Sequence, residues 1–185
     1  MSRQQEIQKL SSTLNAPKRM FWVSASKRAR AAHDLSILAP EAIPDLIDAL
    51  AGPGQAYAAN GLIAVGAGAI PALLQALHGP GAATAAVVLK KIGATCVEDL
   101  IREFQGQGAA YAVLVLESIG PPALKPLIEA VENGDPESRM WAALTLERMG
   151  AWAAEAIPAL EAAQNDPVPD VRDAARQAIQ KIKAK

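Results

Sequence analysis

Cysteine occurs once in the chain, at Cys96, which excludes an intramolecular disulfide and fits a reducing compartment. Its place at an apolar position opening a helix makes it a core residue. Histidine occurs twice, at His33 and His78, so with one cysteine there are too few soft ligands for a zinc site. His33 and His78 fall on different repeats and neither has a recognisable Ser or Cys partner, and carboxylate pairs such as Glu98 and Asp99 are adjacent, pointing in different directions on a helix. No catalytic constellation, metal or cofactor is therefore expected. With 51% of its 185 residues hydrophobic and 4% aromatic, the chain can build one ordinary core or one continuous solenoid core, but little beyond that. No segment alternates with a period of two, which leaves no candidate strand. No uninterrupted apolar run approaches the roughly 20 residues that span a bilayer, and the N-terminal SRQQEIQKLSSTL lacks the apolar centre of a secretory signal. A cytoplasmic protein away from membranes is the expectation.

What is present is a repeat. AIPDLIDAL from Ala42, AIPALLQAL from Ala69, CVEDLIREF from Cys96, ALKPLIEAV from Ala123 and AIPALEAAQ from Ala156 are spaced by 27, 27, 27 and 33 residues. Each has apolar residues at helical spacing, such as Ile43, Leu46, Ile47 and Leu50. Pro44, Pro71 and Pro158 fall in the opening turn, where a missing N–H costs nothing. Gly/Pro-rich turns follow, at 52–54, 79–81, 106–108, 134–136 and 165–167, and then an Ala-rich helix ending at Gly66, Gly93, Gly120 or Gly150, where a left-handed C-cap is expected. The spacing predicts an all-α solenoid of about six antiparallel helix pairs in one domain, with repeats at about 3–39, 40–66, 67–93, 94–120, 121–150 and 151–185. The first repeat carries an insertion, APKRMFWV, at 16–23.

Four G-x-G triplets, beginning at Gly52, Gly66, Gly79 and Gly106, do not form a dinucleotide site. The third glycine of the motif falls on Tyr57, Pro71, Thr84 or Tyr111, and each triplet joins helix to helix rather than strand to helix.

The segments GDPESRMWAALTLERMG (134–150) and NDPVPDVRDAARQAIQKIK (165–183) resemble HEAT repeats of the short type found in phycobilisome-lyase-like proteins, with an Asp-Pro turn before an Arg and an Ala-Ala…Leu…Ile pattern. The resemblance implies a polar ladder in which Asp135 partners Arg139 and Asp166 partners Arg172. The Arg position falls on Arg28, Gln55, Ala82, Ala109, Arg139 and Arg172, so the three central repeats lack the ladder and must rely on apolar packing.

Counted from that position, a second helix of this type buries residues two, three, six, seven and ten and exposes one, four, five and eight on the inner face. The exposed set reads Ala56, Ala59, Asn60, Ile63; Ala83, Ala86, Val87, Lys90; Ala110, Val113, Leu114, Glu117; and Met140, Ala143, Leu144, Glu147. The last repeat carries Asp173, Arg176, Gln177 and Gln180 instead, as a solvated face should. A small, apolar inner surface in the middle repeats marks a partner site. Val87, Val113, Leu114, Met140 and Leu144, with Ile63, are the expected apolar contacts, and Asn60, Lys90, Glu117 and Glu147 the rim. A non-enzymatic interaction scaffold or adaptor that receives an apolar helix or extended segment of another protein is the leading expectation, with a homodimer through the same patch as an alternative occupant.

The charge is uneven. Residues 1–33 hold seven Lys or Arg against one acid, while 34–165 hold six against fifteen. Lys18 and Arg19, next to Phe21 and Trp22, form a secondary docking candidate or a cap on the open end of the first repeat. With Lys27, Arg28 and Arg30 they could contact nucleic acid, a reading the acidic body disfavours. The family resemblance implies a further alternative, a bilin lyase or isomerase subunit or tetrapyrrole chaperone, with the groove holding the pigment and His33 or Arg139 near its propionates.

Overall fold

The computed structural model describes residues 2–17 and 23–184. Among them are twelve α-helices and no strand: α1 (Arg3–Leu14), α2 (Ala25–Ile37), α3 (Ile43–Asp48), α4 (Gln55–Val65), α5 (Ile70–Ala76), α6 (Ala82–Ile92), α7 (Val97–Arg102), α8 (Ala109–Ile119), α9 (Leu124–Asn133), α10 (Pro136–Met149), α11 (Ile157–Ala163) and α12 (Pro169–Lys183). They follow one another as the expected pairs, an all-α solenoid architecture. The chain divides into two compact units, Met1–Ile92 and Gly93–Lys185, holding α1–α6 and α7–α12.

The helices begin where local chemistry satisfies their first N–H groups. At Ser2 the hydroxyl accepts from the Gln5 N–H while the Gln5 side chain accepts from the Ser2 N–H; Ser24 caps α2 and Asp135 caps α10 through its carboxylate. Pro44, Pro71 and Pro158 occupy first-turn positions of α3, α5 and α11. α3 and α7 have only six residues each and run on into 3-10 turns that bury Leu50 and Phe104. Helices this short are held by packing rather than by propensity.

A column of alanines makes that packing close. Ala31, Ala58 and Ala85 in the first unit, and Ala112, Ala142 and Ala175 in the second, sit three residues after the Arg position and are buried. Around them lie Leu46, Leu62, Leu73 and Leu89 in the first unit, and Leu100, Phe104, Leu116 and Leu127 in the second. α2 and α4 approach closely at Gly61, where a Cβ would lie 2.9 Å from the Ala32 carbonyl oxygen.

Gly66, Gly93, Gly120 and Gly150 all have positive φ. The left-handed helical cap expected there is not what forms: ψ is −134° at Gly66, −136° at Gly120 and −130° at Gly150, the mirror image of extended backbone, which only glycine adopts readily. Gln55–Ala76 is long and apolar enough to cross a bilayer by length and composition. The break at Gly66 divides it into α4, packed on α2, α3 and α6, and α5, packed on α3 and α6.

The polar ladder exists, but its rungs connect successive repeats. Arg139 donates from Nε and Nη2 to the two Asp166 carboxylate oxygens at 2.7 and 2.9 Å, and from Nη1 to the Gly134 carbonyl. Asp135 accepts from the Glu137 and Ser138 N–H groups, the Ser138 hydroxyl and the Gln105 amide, and Arg172 donates to the carbonyls of Asp166 and Pro167. Asp135 is committed to capping its own helix, so Arg139 reaches the next turn instead. Neither pair expected within a repeat forms between side chains.

Candidate partner-binding groove

The second helix of each pair carries the candidate residues, and each unit has its own exposed helix faces. In the first unit, α4 exposes Ala56 and Asn60 and half-exposes Ile63, while α6 exposes Ala83, Lys90 and Val87, the last by 54%. A small cavity of about 120 Å³ lies between α2 and α4, lined by Tyr57, Asn60, Gly61, His33, Ser36 and neighbouring alanines. In the second unit, α8 exposes Ala110 and Leu114, the latter by 48%, and α10 half-exposes Met140, Leu144 and Glu147. The face of α12 is polar, with Asp173, Arg176, Gln177 and Gln180 all exposed.

One position departs from the sequence reading. Val113 is only 6% exposed and Ala143 is fully buried, as Ala59 nearly is, so the fourth residue after the Arg position belongs to the core edge in these helices. A helix turns about 100° per residue, which places that position about 60° from the buried seventh one, at the border of the core stripe. Val113 is therefore floor rather than free anchor.

Leu114 and Leu144 come together in an open groove of about 420 Å³ between α8 and α10, lined by Ala110, Val113, Leu114, Trp141, Leu144, Glu147 and Arg148. Met140 is not among the lining residues. Glu117, expected at the rim, is paired: Arg148 donates to its Oε2 from Nε at 2.7 Å and from Nη2 at 2.6 Å. Glu147 makes no ion pair among the described residues.

Trp141 and Arg148 were not legible as site residues. Trp141 sits two residues after the Arg position, assigned to the core, yet that position holds Tyr57, Thr84, Tyr111 and Trp141 in successive repeats. Polar-tipped or large side chains recurring there signal a border that is only half buried. Two exposed hydrophobics also escaped the pattern, Ile37 at 66% and Trp152 at 63%, because both lie where second helices end, outside the counted positions. Trp152 lies over Gly120, its ring 3.3 Å from where a Cβ would stand.

Other candidates are placed as follows. Lys18, Arg19, Phe21 and Trp22 lie outside the described residues. Arg28 is buried and donates to the Leu14 and Ala16 carbonyls at the end of α1, which removes it from the basic surface. All three guanidinium nitrogens of Arg139 are engaged, so it has no donor atom free of protein contacts to offer a pigment. His33 and His78 are exposed. Cys96 is buried, its thiol donates to the Gly93 carbonyl, and burial pushes its pKa up to about 11.

Residues 97–180 match the family model of HEAT repeats. No curated protein matches the chain. Among solved structures, an engineered protein shares 18% identity over 96% of each chain with a TM-score of 0.37. A designed armadillo repeat protein, in complex with the peptide (KR)4, shares 16% identity over 96% of this chain and 99% of its own, with a TM-score of 0.38.

Proposed function

We propose that this chain, whose residues 97–180 match HEAT repeats, is a non-enzymatic interaction scaffold that receives an apolar segment of another protein in the α8–α10 groove. The observation that supports this reading most is Leu114, half exposed on a helix whose other faces are packed, beside Leu144 and Trp141 in one open groove. An aliphatic side chain left in water at the mouth of a groove gains from being covered, by roughly 25 cal/mol per Å² of apolar surface removed. Glu117 and Arg148, already paired at the rim, can hold register without a free charge to bury. The site is proposed for a cytoplasmic protein, where the lone thiol stays reduced.

The groove is poorly suited to the pigment alternative. Its one cation is neutralised by Glu117 and the remaining charge is the Glu147 carboxylate, so propionates would meet like charge. The test compares wild type with Leu114→Glu, shown by circular dichroism to remain helical, in capture experiments followed by titration of each captured protein against tryptophan fluorescence in a Trp22→Phe, Trp152→Phe background, where Trp141 alone reports. A protein that binds wild type and shifts that emission, and is lost by the variant, supports the reading. Equal capture by both, or a wild-type dimer that Leu114→Glu makes monomeric, overturns it.

A further inference from the structure

We propose that the groove selects a partner segment in which an aliphatic or aromatic anchor is accompanied, within about one helical turn, by a lysine or arginine that pairs with Glu147; this rests on the groove being a protein-binding site. The charges around it are unequal. The Arg148 guanidinium is spent on Glu117, with both donated bonds going to one oxygen at 2.6 and 2.7 Å. Glu147, one residue before Arg148, half-buried and lining the groove, makes no ion pair among the described residues.

Any segment that covers Leu114 and Leu144 also strips water from Glu147. A wholly apolar segment would leave that carboxylate desolvated and unpaired, and an acidic one would add repulsion. A cation beside the anchor recovers the lost solvation through a charge-assisted hydrogen bond, so the carboxylate discriminates among apolar segments that the groove floor would otherwise accept alike. The small Ala110 at the other end of the lining leaves room for main chain, so anchor and cation can both lie along α8 and α10.

The experiment is selection of displayed random linear peptides on the full-length chain, run in parallel on Leu114→Glu, Leu144→Gln and Glu147→Lys, each checked for native helicity. Peptides retained by wild type and lost by either leucine variant should be enriched in Lys or Arg next to a large apolar residue. Their synthetic versions should bind Glu147→Lys about tenfold or more weakly, and replacing the peptide's cation by Glu should restore binding to that variant. Groove-dependent peptides with no such enrichment, or with affinity unmoved by Glu147→Lys, would overturn the charge selection while leaving the groove as the binding site. Absence of any peptide sensitive to the leucine variants would overturn both.

Discussion

Single residues of this chain are governed by how completely their polar atoms are accounted for. Arg139 and Asp166 form a bidentate pair with only 16% and 8% of their side chains exposed, and the Arg139–Gly134 bond ties the rung to its own turn. Replacing Arg139 by Met leaves Asp166 without its main partner and should cost about 2 kcal/mol, read from urea denaturation. The pH response has a definite sign. The hydroxyl of Ser138, followed by backbone N–H groups and Gln105, holds the Asp135 carboxyl down at about 2, against an ordinary value of 3.8, and Arg139 lowers that of Asp166. These contributions are complete above the ordinary carboxylate value and are lost as the pH falls toward 2, because the unfolded chain takes up the protons first. Acid unfolding followed by circular dichroism should therefore begin below about pH 4, and the Arg139→Met variant should unfold at higher pH than wild type. At the other extreme, Cys96 with its thiol near 11 should resist a disulfide-exchange reagent at pH 8 until denaturant is added. Labelling of the native protein within minutes would show that the first turn of α7 opens readily.

Elements are shaped by what glycine permits at their ends and crossings. Gly66 has open space around its missing Cβ, so Gly66→Ala tests backbone conformation alone, with an expected loss of roughly 1–3 kcal/mol. Gly61→Ala tests a clash instead: its added methyl meets the Ala32 carbonyl, so α2 and α4 must separate. Both variants should lower the thermal midpoint, but only Gly61→Ala should open the α2–α4 packing, measurable as faster amide exchange in α2. Truncation in the alanine-lined core has a larger effect. Leu116 is fully buried in α8, so Leu116→Ala leaves a cavity in the core and should cost roughly 2–5 kcal/mol in chemical denaturation.

At the scale of the molecule, second helices pack on second helices: α2 on α4 and α4 on α6 in the first unit, α8 on α10 and α10 on α12 in the second. Stability in such a stack is a sum over neighbouring repeats, a rule that treats all repeats alike. The ends are nevertheless unequal. α1 buries only Ile7 and Leu14, whereas α12 buries Val171, Ala174, Ala175, Ala178, Ile179 and Ile182. Native-state hydrogen exchange should show α1 opening well before α12, and comparable protection of the two would contradict this ranking.

The sequence alone determined the helix pairs, their order and most of the buried positions, because a period of 27 residues and an apolar spacing of three and four are one-dimensional properties that survive any tertiary arrangement. It also placed Leu114, Leu144 and Glu147 on the exposed side of their helices. Only the tertiary structure decided what happens at the edges of those stripes. Val113 went to the core and Trp141 to the groove because a border residue is buried or exposed according to the neighbouring helix, not its own. Arg139 reached Asp166 rather than Asp135, and Arg148 neutralised Glu117, because such pairings depend on distances between repeats, which no spacing along the chain encodes.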